Sequence, residues 1–440
     1  MNIWVVSVYG EVPSDGWRGY PPGVVSEVLS GMGHQVTWWT ANFSHHCKTY
    51  RCRGWGRVEV NPNYEIRLVP TPSYRHNIGL ARVGFELAFA WRLYRRARAG
   101  PPPDVVLATE PPQSNALAAA RLARRFRVPL VLHLNDLWPE LFAIALPGWL
   151  RPAARLIFLP FHALRKMAFR CADGVAAVSE SYLELARRQA PRLAPARFVT
   201  AYNACDTATR PRHRPATEEA ERLARYFNKP AEEVWAVYAG GLGHNYDIRT
   251  LLEASLRLAA MRPPVRIIVA GAGPASDAVL SFTQQHQEAR LRFLGKLSPP
   301  ELDTLYRLCE VGISAYVPGS TVTMPVKAFD YMAAGLPIVN SLPGELAELL
   351  QRRRLGVYYR AGDPAALVSA LTSLAADPAA RAEMSANCLA LAPEFDCRRQ
   401  YAKIARLLEA VVEADRSRPF AATCRHAAGE AAPELPCRHQ

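Results

Sequence analysis

Twice along this chain a short apolar run ends in a glycine-containing turn and gives way to a helical period. That alternation leaves a layered α/β fold with parallel sheets as the architecture available to it. Residues 2–9 (NIWVVSVY) read as a buried strand, followed by a loop with Gly10, Gly16 and Gly19, a helix around 23–31 and a strand at 35–40. Strands at 104–108, 129–134 and 174–178 and a helix at 114–126 continue the series. Across 206–233, where Pro, Arg and Glu dominate, the apolar periodicity lapses. A second series then has strands at 235–239, 265–270, 291–294, 311–315 and 337–339, with helices at 247–261, 364–374 and 398–412. A chain of 440 residues exceeds one hydrophobic core, so two domains of roughly 200 residues are expected. The expected division is a Rossmann-like domain over 1–205, a linker over 206–233 and a second Rossmann-like domain over 234–396. A helix at 397–414 is placed to pack back on the first domain, and 415–440 lacks periodicity and reads as a disordered tail. Two such halves facing each other hold a ligand in the cleft between them, outside the carboxyl ends of the strands.

The densest signal is 324–340, MPVKAFDYMAAGLPIVN. Pro325 fits only a helix's first turn, and Thr323 is positioned to cap that turn. A helix running to about 334 puts Lys327, Asp330, Tyr331 and Ala334 on one face, with Gly335 in the left-handed position that ends it and Pro337 as a stop. A helix N-terminus with a lysine beside it attracts anions, and a carboxylate one turn on accepts from sugar hydroxyls. The pair suits a nucleotide's phosphates and ribose; as an ordinary surface ion pair it would mean nothing. Residues 239–245 (AGGLGHN) follow a strand and precede a helix. Gly240, Gly241 and Gly243 let main-chain amides approach a diphosphate, although a plain βα turn has the same composition. Gly271-Ala-Gly273 lacks a third glycine and reads as structural.

The 324–340 segment resembles the donor-binding motif of family-4 retaining glycosyltransferases of the GT-B fold, and more closely the bacterial fucosamine-transferase-like branch that builds O-antigen and exopolysaccharide. That family pairs two Glu residues eight positions apart; Asp330 stands at the second and Val322 at the first. Its Gly-Arg-Leu and following Lys are replaced at Gly241 and Tyr246. The resemblance therefore implies a diphosphate held by main-chain amides, Lys327 and an arginine the sequence does not identify. Residues 133–140 (HLNDLWPE) leave a buried strand and resemble the branch's Asp-Leu-Trp-Pro-Glu signature. Asp136 is the candidate carboxylate near the acceptor hydroxyl, and His133 the polar partner close to the donor sugar. A helix-capping Asp136 and a core His133 are the alternatives. Arg18 and Gly19 lie where the family closes over donor phosphates, though Arg18 also reads as a solvated loop arginine. Glu345 is a further donor contact, and His45, His46, Trp138 and Glu140 shape the acceptor side.

The resemblance implies transfer of a sugar from a nucleoside diphosphate sugar to a saccharide or polyprenyl-pyrophosphate-linked acceptor, with no cofactor and, lacking Asp-x-Asp, no obligatory metal. It places the protein in the cytoplasm, peripheral on the inner face of the plasma membrane. Two other classes remain open: a GT-B nucleotide-sugar epimerase, which needs no acceptor, and a non-catalytic membrane-associated assembly partner. Neither half carries GxGxxG with a spaced acidic residue, which argues against an NAD-dependent dehydrogenase.

The net charge of +14 rests on arginine, with only six lysines. Basic clusters fall at Arg92, Arg95, Arg96 and Arg98, at Arg121, Arg124, Arg125 and Arg127, and at Arg151, Arg155, Arg165 and Lys166. Anionic membranes attract such patches by about 1 kcal/mol per basic residue, and no nucleic-acid motif accompanies them. Residues 149–170 mix large apolar side chains with basic ones, as in an interfacial helix pair or a core-packed pair with arginines facing solvent. No run approaches the length of a transmembrane helix. Nine scattered cysteines without a CxxC pair suggest reduced thiols. The spacing of His45, His46, Cys47 and Cys52 fits no zinc finger.

Overall fold

The protein is described by a computed structural model covering residues 1–15, 21–77, 79–140, 142, 146–204, 221–222 and 225–417. Arg18 and Gly19, most of the 206–233 linker and nearly all of the 415–440 tail lie outside the described residues.

The first domain is built on an eight-stranded sheet: β1 (Asn2–Val6), β2 (Gln35–Ala41), β3 (Gly56–Asn61), β4 (Tyr64–Val69), β5 (Val105–Glu110), β6 (Leu130–Leu134), β7 (Gly174–Ala177) and β8 (Phe198–Thr200). Their order is β3-β4-β2-β1-β5-β6-β7-β8. Every pairing is parallel except the β3–β4 hairpin. Helices cover both faces, so every residue of β5 and β6 is buried. This is the reason those strands read as continuous apolar runs. Along β1 the side chains alternate: Trp4 and Val6 pack with the helices Leu80–Ala97 and Gln113–Phe126, Ile3 and Val5 on the opposite face. That opposite face is covered by Tyr401, Ile404 and Leu408 of the helix Cys397–Arg416. The last described helix thus packs on the first sheet, and Asp396 caps it by accepting from the Arg398 and Arg399 amides.

The second domain carries six parallel strands, β9 (Val234–Ala239), β10 (Val265–Ala270), β11 (Leu291–Gly295), β12 (Val311–Ser314), β13 (Ile338–Asn340) and β14 (Gly356–Tyr358), ordered β11-β10-β9-β12-β13-β14. Chain order reverses at β1/β5 and at β9/β12, and such switch points open crevices at the strands' carboxyl ends. β3, β4, β8, β14 and the helix Leu80–Ala97 were not expected from sequence. β3 and β4 form the edge hairpin, where half-buried and exposed residues alternate along β3 and buried and half-buried ones along most of β4; β8 and β14 are three-residue edge strands.

One close approach fixes the helix Val326–Ala333 against this sheet. A Cβ on Gly312 in β12 would lie 2.5 Å from the Tyr331 ring. The Tyr331 hydroxyl in turn accepts from the Ala239 amide at 3.0 Å and lies 3.1 Å from the Ile313 carbonyl. Gly312→Ala is expected to overpack this contact, costing about 1–3 kcal/mol and displacing the helix that carries Lys327. A lower melting temperature together with weakened nucleotide binding is the expected readout.

Candidate active site

β9 is followed by Gly240, whose φ of 141° only glycine adopts readily, and whose amide donates to the Ala270 carbonyl at 3.0 Å. The amides of Gly241 and Gly243 have no main-chain partner among the described residues. The Gly271–Gly273 turn packs beneath: a Cβ on Gly273 would come within 2.7 Å of the Leu242 backbone. Its glycines serve packing.

Lys327 rises from the first turn of the helix Val326–Ala333 to the same turn, its Nζ 3.3 Å from where a Gly240 Cβ would be. The side chain is buried, and Nζ has no hydrogen-bond partner among the described residues. It lies instead over the rings of Tyr238, Tyr246 and Tyr316, at 3.9, 4.6 and 5.2 Å from their centroids. Burial pulls its pKa down to about 7, against the opposing pull of Asp330. Asp330 is buried one turn further on, and Gly335 ends the segment at φ 67°. Two details of the expected helix are corrected. Its N-cap is Pro325, with no side-chain cap, and the Thr323 hydroxyl is buried with no hydrogen-bond partner among the described residues. Tyr331 belongs to the core beneath the sheet rather than to a ligand-facing surface.

On the first domain, His133 is the penultimate residue of β6 and is 1% exposed. Burial lowers its pKa to about 4, so the ring is neutral, and its Nε2 has no partner among the described residues. Asp136 accepts from the Leu137 amide at 2.8 Å. Burial raises its pKa, and the Arg82 guanidinium works against that shift. Arg82 lies over the Trp138 ring at 4.4 Å and the Tyr9 ring at 5.1 Å. His45 hydrogen-bonds the Tyr74 hydroxyl through Nδ1, and burial lowers its pKa to about 3. His46 Nε2 is 3.7 Å from Glu11. Across the cleft the Asp136 charge is felt at Tyr246, one of the three rings around Lys327. The two candidate halves therefore face one another through that tyrosine.

Two expected site residues are engaged elsewhere. Glu140 forms a two-pronged pair with Arg165, and Arg165 is 1% exposed and also 3.6 Å from buried Glu110. The reading of Arg165 as a solvent-facing member of a basic cluster is corrected: it pairs with Glu140 and lies beside Glu110 inside the domain, and burial raises Glu110 to about 8. Glu345 reaches across to the first domain, where it accepts from the Tyr202 hydroxyl at 2.8 Å and from the Glu180 amide at 3.2 Å. There it sits at the N-terminus of the helix Glu180–Gln189. The tyrosine cage and Arg82 were missed. The one sequence hint was Tyr246, standing where the resembled motif has a lysine.

Residues 25–209 match the family model described as Glycosyltransferase Family 4, and 233–377 match Glycosyl transferases group 1. A glycogen synthase of Mycobacterium tuberculosis is 28% identical over 284 residues, 63% of this chain and 61% of that protein. The alignment thus spans less than two thirds of that curated relative. Among solved structures, sucrose-phosphate synthase from Thermosynechococcus elongatus superposes with a TM-score of 0.72 at 17% identity, covering 94% of this chain and 99% of that one. HepE of Anabaena, solved with UDP and glucose, gives 0.64 at 18% identity over 93% of this chain and 100% of that one. At such identities the superpositions establish the shared two-domain GT-B fold.

Proposed function

We infer that this chain, which belongs to the family-4-type glycosyltransferases of the GT-B fold, moves a sugar from a nucleoside diphosphate sugar to an acceptor hydroxyl. The observation that carries the reading is Lys327. Three aromatic faces support an ammonium at the glycine turn while leaving its donors unused, an arrangement suited to an incoming diphosphate. Charge developing on the departing diphosphate would meet Lys327 and the amides of Gly241 and Gly243. Positioning and electrostatic stabilisation would thereby supply most of the rate enhancement. Asp330 is suited to the ribose, neutral His133 to the donor sugar, and Asp136 to orienting or deprotonating the acceptor hydroxyl. Retention of anomeric configuration follows from the family resemblance.

The acceptor in this reading is a saccharide on a polyprenyl pyrophosphate at an anionic membrane, in the making of a cell-surface polysaccharide. No helix among the described residues is long and apolar enough to cross a membrane. Support for a peripheral contact comes from the helices Ala154–Ile157 and Leu159–Cys171. They and the preceding turn expose Trp149, Leu156, Leu159 and Met167 beside Arg151, Lys166 and Arg170, a composition suited to the bilayer interface. Calorimetric titration with UDP, GDP and dTDP tests the donor site: one of them should bind, and silence from all three at millimolar ligand would remove the reading. Incubation with the matching nucleotide sugar alone separates the epimerase alternative, which turns over without acceptor.

A further inference from the structure

We propose that a cavity in the first domain, beside the loop that carries Asp136, takes up a single hydrocarbon chain, prenyl or acyl, of a lipid. This rests on the membrane-side part of the reading above and on no feature of the donor site. The cavity, of about 690 Å³, lies between the helices Leu159–Cys171 and Glu180–Gln189, within the roughly 300–1,000 Å³ of small-molecule sites. Pro139 and Ala154 are buried in its walls, Phe158 and Leu185 are half-buried, and Leu159 lines it while remaining 58% exposed. Most of the polar side chains lining it already have partners. Arg165 and Glu140 form their two-pronged pair, and His162 Nδ1 lies 3.9 Å from the same Glu140. The Ser181 hydroxyl donates to Glu345 at 3.4 Å, and Glu184 and Arg188, both exposed, lie 4.0 Å apart. The cavity therefore offers mostly carbon, with its charges balanced in pairs. Such a surface favours an uncharged, apolar guest over an anion, which would find no free cation, or a sugar, whose hydroxyls would go unpaired.

The position of the cavity joins two features of the fold. Pro139 and Glu140 belong to the 133–140 loop, three and four residues beyond Asp136. Phe158 is tied to that loop by ring contacts, 6.2 Å to Phe142 and from there 4.9 Å to Trp138. Leu159 also belongs to the exposed apolar residues that include Leu156, three residues before it, and Met167 on the same helix. Exposed apolar side chains that lead into a concave apolar site suit a lipid-facing entrance. A chain entering past Leu159 would lie against the loop that carries the acceptor carboxylate.

Alkyl glucosides, whose head is uncharged, test this when titrated calorimetrically into the full chain below their micellar concentrations. Hexyl, octyl and decyl glucoside should bind progressively more tightly, by about tenfold for each two methylenes. Leu159→Asp, at an exposed position, and Leu185→Trp, which fills the cavity, should each weaken decyl glucoside by about tenfold or more, the loss of roughly two buried methylenes. Met167→Ser, exposed on the same helix and outside the cavity, should leave that affinity unchanged, and all three variants should bind UDP as the parent does. The proposal is overturned by undetectable or chain-length-independent binding, or by parental affinity in both cavity variants. An equal loss in Met167→Ser would also overturn it, by marking adsorption to the surface. Should Leu185→Trp fail to fold, the contrast between Leu159→Asp and Met167→Ser decides. Competition against decyl glucoside then names the source of the chain. Displacement by farnesyl phosphate and not by decanoyl lysophosphatidylcholine assigns the cavity to a prenyl-linked acceptor, displacement that includes the lysolipid assigns it to bilayer lipid, and displacement by neither overturns the proposal. The glucoside titrations contain no nucleotide, so a failure of UDP to bind removes the transferase reading and leaves this result standing.

Discussion

Lys327→Ala should lower affinity for the donor's nucleoside diphosphate about a hundredfold, since a charge-assisted bond in a buried site is worth about 3 kcal/mol. Folding should suffer far less, and the sign can even reverse. Burial depresses Lys327 from 10.5 to about 7, so at pH 7–10 the unfolded chain holds a proton on this group that the native chain has released. Stability from this group therefore rises with pH between about 7 and 10.5, and below about 7 the cost of the buried charge is fully present. Lys327→Met, which fills the cage without a charge, is expected to melt higher than the parent at pH 6 and to lose that rise. Ligand affinity should run the opposite way, weakening above about pH 7, because the lysine must be charged to hold the diphosphate. Calorimetry in buffers of different ionisation enthalpy should then show net proton uptake on binding. Unchanged nucleotide affinity in Lys327→Ala would remove this lysine from the donor site.

Asp136→Asn should cost turnover and spare the donor. Loss of a positioned general base typically lowers rate by about 10²–10⁴, and Asn keeps the hydrogen bond from the Leu137 amide. Burial raises the Asp136 pKa, so the acid limb of the parent's rate profile should lie above the ordinary carboxylate range and disappear in the variant. Removing Arg82, which opposes that shift, should move the limb further up. Donor affinity measured by calorimetry should remain that of the parent. Parental turnover in Asp136→Asn would strike the residue from the reaction.

Much of the architecture could be read from local pattern. The run at 104–108 reads as a strand, and β5 over Val105–Glu110 is that strand, every residue of it buried. Gly335 after a helical period announces a left-handed stop, and its φ is 67°. The edge strand β3 escaped because its alternation of half-buried and exposed residues leaves little apolar contrast. Arg165 escaped for another reason. A helical arginine among apolar residues reads the same whether it faces solvent or two carboxylates, and Glu110 and Glu140 reach it only through the packing of β5 and the 133–140 loop.

The candidate site divides along the same line. Spacing within one helix and one turn was enough to single out Lys327, Asp330 and the glycines after β9, because their geometry is set within a few residues of sequence. The cage around Lys327 draws on the end of β9, the loop beyond Gly243 and the residues after β12. Contacts between distant segments exist only once sheet order is set, and β9 beside β12 is a fact of topology. The sequence by itself determined the parallel two-domain plan and the lysine at the glycine turn. The fold alone decided what surrounds that lysine, and hence how its charge is held.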